Sequence, residues 1–306
     1  MSKRGEWWFV RPWRWRFSLF ASFRLGALRG AVCAAANGAT TCFCWSHAIG
    51  CAAEQTIEVT WPTVGRPMTT LHDTVFLFDV DNTLLDNDVV IADLRAHIEH
   101  EFGAATASRY WFHFEALRSE LGYADYLGAL QRWRVDAEPR PGEETRLLRM
   151  SGFLIDYPFA ERLYPNAMEV VQRLGGFGPT VILTDGDVVF QPRKVQRSGL
   201  WDAVAGRVLI YIHKERMLDA VQRHYPARHY VMVDDKLRIL AAMKGVMQAR
   251  LTTVFPRQGH YALDPAAAAA YPAADIAIER IGDLLSIDIR ELTGPKDQAL
   301  ASQETP

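Results

Sequence analysis

From Thr74 onward the chain is punctuated by short runs of β-branched and aromatic residues: 74–79, 181–184, 208–212, 230–233, 251–255 and 276–278. These runs are continuously apolar rather than alternating, which predicts strands covered on both faces and therefore a parallel sheet. Helical segments fit between them at 167–174, closed by Gly175-Gly176, and at 191–199, 215–224 and 237–247. Each has the length of a crossover connection. The fold class is α/β: a doubly wound, mainly parallel sheet, whose ligands bind at the carboxyl ends of the strands.

One interval breaks the alternation. Between Asp86 and Tyr164 no strand pattern occurs, but helical stretches are expected at 88–102, 108–121, 124–135 and 143–155. Apolar residues recur there at intervals of three and four (Leu94, Ile98, Phe102; Trp111, Phe114, Ala116, Leu117), enough to pack a small bundle. This predicts an inserted all-helical cap over 87–163, seated as a lid on a core of residues 68–86 and 164–292. Residues 264–274, alanine-rich between prolines, read as a surface loop or short helix, and 293–306 as a disordered tail.

Composition changes the picture at one place. The 306 residues are 49% hydrophobic and 23% charged, with a net charge of −2, which asks for no nucleic-acid partner. Residues 1–67, however, hold eight Lys/Arg against three Glu, together with six of the nine tryptophans and all four cysteines, Cys33, Cys42, Cys44 and Cys51. That segment has neither helical periodicity nor strand alternation. It is read as a basic extension, disordered or translated ahead of a start at Met68; a targeting peptide and a membrane-associating arm are the other readings. Arg24 and Arg29 interrupt its longest apolar stretch, and nothing approaches the ~20 apolar residues of a spanning helix, so no stable membrane insertion is expected. The cysteine spacing matches no paired zinc pattern, and residues 68–306 contain no cysteine, so a cytoplasmic location is expected.

The chemistry is concentrated where strands end. Asp79 and Asp81 directly follow the first run; two carboxylates so close repel one another, a cost that a cation or a reacting phosphate would offset. Thr184 ends the second run, Lys214 follows the third, and Asp234-Asp235 follow the fourth. An Asx-type turn or cap could explain one of the first two aspartates, but poorly explains both.

This ordered set resembles the haloacid dehalogenase-like hydrolase superfamily. Its four motifs are Phe78-Asp-Val-Asp-Asn-Thr-Leu-Leu, Ile182-Leu-Thr-Asp-Gly-Asp, His213-Lys-Glu and Val233-Asp-Asp, and the likeness covers 73 to about 288. The resemblance implies a Mg²⁺-dependent hydrolase of small phosphomonoesters. Asp79 would be the nucleophile, forming an aspartyl-phosphate, and Asp81 the general acid and base. Thr184 and Lys214 would hold the phosphoryl oxygens, with Asp185 and Gly186 following Thr184 along the phosphate. Asp79, Asp234 and the main-chain carbonyl of Asp81 would hold Mg²⁺, with Asp235 supporting. An aspartate at position 81 favours phosphoryl transfer to water over carbon–halogen cleavage, whose halide leaves without an acid. A sugar phosphomutase and a noncatalytic phosphate binder are the alternatives.

The chain departs from the family pattern at Asp185, where many relatives have Asn, and at Arg238, where a further acidic residue is common. Lys194 is a second lysine candidate for the third motif, but its distance from Asp234 fits the family less well than that of Lys214. The partner is a small phosphate ester that cap residues Trp111, His113, Arg118, Tyr123, Tyr126, Arg132 and Arg134 could meet.

Overall fold

The computed structural model describes residues 31–36, 39–44, 70–136 and 142–294. The chain divides into two compact units, Met1–Trp61 and Pro62–Pro306. In the first, β1 (Ala31–Ala36) and β2 (Ala39–Cys44) pair antiparallel, with Ala36 opposite Ala39. This ribbon departs from the sequence reading, which finds no strand pattern there. Its small-residue strands do not alternate, and the overlooked signal is Asn37-Gly38, the dipeptide favoured in two-residue hairpin loops. The rest of that segment and the tail from 295 lie outside the described residues.

The second unit is built on six parallel strands: β3 (His72–Phe78), β4 (Thr180–Asp185), β5 (Val208–Tyr211), β6 (Ala227–Val233), β7 (Leu251–Pro256) and β8 (Ile276–Ile278). Their order is β5-β4-β3-β6-β7-β8. The winding starts at β3 and runs outward both ways, so the crevice at its carboxyl end is flanked by β4 and β6.

The central strand shows why an unbroken apolar run is needed. Phe76 and Phe78 pack into one cluster with Ile182, Val231 and Val233, while Val75 and Leu77 pack into another with Val181, Tyr230 and Met232. Four inserted helices come first in the chain: α1 (Asn87–Phe102), α2 (Ala104–Leu121), α3 (Tyr126–Asp136) and α4 (Glu143–Asp156). Helices α5 (Ala167–Gly175), α6 (Phe190–Arg197) and the single turn α7 (Leu200–Ala203) cover the first sheet face. Helices α8 (Leu218–His224) and α9 (Leu237–Met247) cover the second. Short helices α10 (Gly259–Leu263), α11 (Pro265–Ala269) and α12 (Ile289–Thr293) complete the unit.

The inserted helices bury Leu94 and Ile98 of α1, Trp111, Phe114 and Leu117 of α2, and Tyr126 and Trp133 of α3. Ala116, which fits the sequence periodicity, faces solvent instead. Stacking of Tyr126 on Phe114 and its contact with Phe190 of α6, with ring centroids 4.8 and 5.0 Å apart, join the insertion to the core. Among the described residues no helix is long and apolar enough to cross a membrane.

Candidate active site

Each carboxyl end around the crevice delivers a side chain. The main chain of Asp79 is fixed by the sheet, since its N–H donates to the Val233 carbonyl at 3.0 Å. Lys214 opens the turn after β5 and is almost wholly buried. Its ammonium donates to Asp79 Oδ1 at 2.5 Å and to the Leu183 carbonyl at 3.2 Å, and lies 2.7 Å from Asp234 Oδ2. Its N–H donates to Asp185 Oδ1 at 2.8 Å. A buried cation thus bridges the ends of β3 and β6 while its backbone is tied to β4.

The charges perturb one another in a definite pattern. Burial alone would raise Asp79, but the positive charges of Lys214 and Lys236 overcome it and hold the carboxyl below its ordinary range. For Asp234, burial and the neighbouring charge of Asp79 win against Lys214 and raise it. Asp235 is raised well above the usual carboxylate range, by burial first and then by Asp234 and Asp79, against the pull of Lys236. Burial pushes Asp185 up to about 7 against the pull of Lys214, with Asp79 and Asp234 adding to the rise. Burial also opposes the charge on Lys214, yet Asp234, Asp79 and Asp185 outweigh it and hold its ammonium charged.

Asp79, Asp234 and Asp235 present carboxylate oxygens within 4.8 Å of one another. Asp79 Oδ2 and both oxygens of Asp235 are buried without a hydrogen-bond partner among the described residues. Orphaned buried carboxylate oxygens are costly, and an all-oxygen donor set suits a hard divalent cation, so these residues fit Mg²⁺. Asp235, expected as a supporting residue, stands in the cluster itself; the Asp81 side chain turns to other partners, and among the described residues its main-chain carbonyl accepts no hydrogen bond.

Of those partners, sequence reasoning weighed Lys194 only as an alternative third-motif lysine and missed Gln191 altogether. Lys194 of α6, buried, donates to Asp81 Oδ1 at 2.6 Å and to Asn87 Oδ1 at 3.0 Å. Gln191, one turn earlier on the same helix face, donates to Thr184 Oγ1 at 3.0 Å and to Asp81 Oδ2 at 3.4 Å. Thr184 Oγ1 accepts that bond, so its own O–H is a donor, and the hydroxyl is among the groups that hold Asp79 below its ordinary range. The N–H of Gly186, expected to follow the phosphate, donates to the Tyr211 carbonyl at 2.9 Å and so continues the sheet. The i, i+3 spacing of Gln191 and Lys194 on a helix starting just after Thr184 was the available signal.

The turn after Asp81 is also built by contacts distant in sequence. Asn82 holds φ at +59°, and its Oδ1 accepts from the N–H groups of Asn87 and Asp88, capping α1 together with Asp86. Gly259 packs onto it; a Cβ there would lie 2.4 Å from that of Asn82, and its φ of +74° favours glycine independently. Thr83 Oγ1 accepts from the Asp235 N–H at 3.0 Å, joining the first and fourth motifs.

Beside this centre is a cavity of about 540 Å³, lined by Asp81 and Asp185 and by Trp111, Arg118, Tyr123 and Tyr126 of the inserted helices and their α2–α3 turn. The other cap candidates stand elsewhere. His113 is buried 3.3 Å from Asp136, Arg132 pairs with Glu120 at 2.7 Å, and Arg134 is exposed and off the cavity wall.

Comparison with known proteins agrees with this architecture. Residues 74–246 match the family model for haloacid dehalogenase-like hydrolases. A haloacid dehalogenase-like hydrolase from Burkholderia xenovorans LB400 is 68% identical in sequence, covering 72% of this chain and 98% of its own, with a TM-score of 0.67. An L-2-haloacid dehalogenase from Xanthobacter autotrophicus is 18% identical over 69% of this chain and 96% of its own, with a TM-score of 0.45. A hydrolase of the same broad family from Xanthomonas campestris is 16% identical over 72% and 99%, at 0.47. Comparison with curated proteins finds no match. Matched by the family model over more than half its length, and by a highly identical relative, this chain belongs to the haloacid dehalogenase-like hydrolases.

Proposed function

We propose that the protein hydrolyses small phosphomonoesters through an aspartyl-phosphate on Asp79. The observation that carries this reading is the pairing of two carboxylates with two different lysines: Asp79 with Lys214 at 2.5 Å and Asp81 with Lys194 at 2.6 Å. The first arrangement keeps a nucleophile ionised beside a cation that can also meet phosphoryl oxygens. The second holds a separate carboxyl two residues on, in reach of the cavity, where a leaving oxygen needs a proton.

In the first step an oxygen of Asp79 attacks phosphorus, the ester P–O bond breaks, and Asp81 gives its proton to the departing oxygen. In the second, water attacks phosphorus, passes a proton to Asp81, and the bond between phosphorus and the Asp79 oxygen breaks to release phosphate. Lys214 and the Thr184 hydroxyl position and neutralise the phosphoryl oxygens throughout. A Mg²⁺ held by Asp79, Asp234, Asp235 and the Asp81 carbonyl would supply further neutralisation of the phosphate charge. Gln191 and Lys194 act by fixing Thr184 and Asp81.

The test against the dehalogenase alternative is direct. Purified protein with Mg²⁺ is given phenyl phosphate and, separately, a 2-haloalkanoate, and phosphate and halide release are measured. Phosphate release alone is expected; halide release without phosphate release would refute the reading.

A further inference from the structure

We propose that Lys236 is a further catalytic residue, whose ammonium meets the transferred phosphoryl group from the cavity side. The inference rests on the phosphatase reading and deepens it, by naming a cation that touches the phosphate and lies outside the sequence motifs.

Phe78 pairs with Val233 across the sheet, so Asp79 and Asp234 leave neighbouring strands at one level, and Lys236 follows Asp234 by two residues. Its N–H donates to Asp234 Oδ1 at 2.8 Å, which fixes the start of its side chain beside the carboxylate cluster. The side chain lines the same cavity as Asp81, and its ammonium lies 5.0 Å from the centre of the Tyr261 ring. Among the described residues that ammonium makes no hydrogen bond and no ion pair, yet it is not shut off from the cavity. A partly buried cation that keeps its donors unused beside the nucleophile is placed to receive an anion.

The other basic groups of the site do not offer this contact. An ammonium has three N–H donors, and that of Lys214 is already surrounded by Asp79 Oδ1 at 2.5 Å, Asp234 Oδ2 at 2.7 Å and the Leu183 carbonyl at 3.2 Å. Lys214 neutralises the phosphate through space, or directly once one of these oxygens is released; Lys236 needs no such release. Lys194 is engaged by Asp81 and Asn87. Arg95 and His213 also line the cavity without an ion pair, but Arg95 lies over Trp111 of the cap at 4.4 Å, and the outer edge of the His213 ring faces Gly122 of the α2–α3 turn. After Lys214, the positive charge that acts most strongly on Asp79 is that of Lys236.

The experiment measures binding of inorganic phosphate by calorimetry and kcat/KM for phenyl phosphate, both with Mg²⁺ present, in the full chain as wild type, Lys236→Met and Lys236→Arg. Lys236→Met is expected to weaken phosphate binding by roughly 10–100-fold, the range for a lost hydrogen bond to a charged group, and to lower kcat/KM at least as much. Lys236→Arg keeps a charge and donors at that place and is expected to recover most of both. Should Lys236→Met fail to fold by circular dichroism, Lys236→Gln carries the same expectation. Unchanged phosphate affinity in the folded, uncharged variant overturns the contact, as expected of a residue that only balances Asp235. Equal losses in the uncharged and arginine variants overturn it too, as does failure of the wild type to bind phosphate. If phenyl phosphate is not hydrolysed yet phosphate binding shows both the loss and the recovery, the phosphatase reading falls and the contact stands.

Discussion

Two lysines divide the work at the centre of this site. Lys214 sits between Asp79 and Asp234, all three nearly or fully buried, so replacing it leaves two carboxylates without their shared counter-charge. Lys214→Met is expected to cost roughly 3–5 kcal/mol of stability in denaturant titrations, because removing one partner of a buried ion pair strands the other. It should also abolish detectable turnover, and a variant as stable as wild type would refute this electrostatic account. Lys194 touches Asp81 and Asn87 and no other site carboxylate, so its part is positional. Lys194→Met is expected to lower kcat by roughly 10–100-fold, the range for a loosened acid–base group, with KM changed much less. A rise in KM at constant kcat would instead assign Lys194 to substrate binding.

The turn that carries Asp79 and Asp81 is an element supported from outside. Its Asn82 caps α1, so the first motif and the start of the insertion share one hydrogen-bonded knot, closed by Gly259. Gly259→Ala is expected to lower thermal stability by about 1–3 kcal/mol, since a Cβ must displace Asn82 and leave buried N–H groups unpaired, and to reduce turnover more than substrate affinity. Unaltered melting and kinetics would show that this approach is looser than described. A second clasp holds the far edge of the sheet. Asp275 accepts from Lys244 at 2.8 Å, from the Thr253 N–H at 2.9 Å and from Thr253 Oγ1 at 3.0 Å. Burial raises the Asp275 carboxyl, but these donors outweigh it and leave it below its ordinary range. With the folded value depressed, the clasp contributes fully above the unfolded carboxylate range, near pH ~4, and is lost as pH falls through the lower folded value. Asp275→Asn should therefore be less stable than wild type at neutral pH, with the gap shrinking below about pH 4; a gap independent of pH would contradict the ionic origin of the clasp.

At the scale of the whole molecule, the sequence was most legible where one residue's surroundings are dictated by its neighbours in the chain. Strands β3, β4, β6 and β7 announce themselves because both faces are covered, and Asp79, Thr184, Lys214 and Asp234 are brought together because strand ends in a parallel sheet share one edge. What was not legible depends on partners far apart in the chain. That Asp81 belongs to Lys194 while Asp79 belongs to Lys214 follows from contacts across 113 and 135 residues, which no local pattern encodes. His113 and Arg132 look like substrate contacts in the sequence until Asp136 and Glu120 claim them. The central claim is that Asp79 is a nucleophile working in a divalent-cation site. The most direct test is phosphate release from phenyl phosphate by the full chain, with Mg²⁺ or EDTA, beside Asp79→Asn. Release that requires Mg²⁺ and vanishes in the variant is the expected result, and release by Asp79→Asn at the wild-type rate would contradict it.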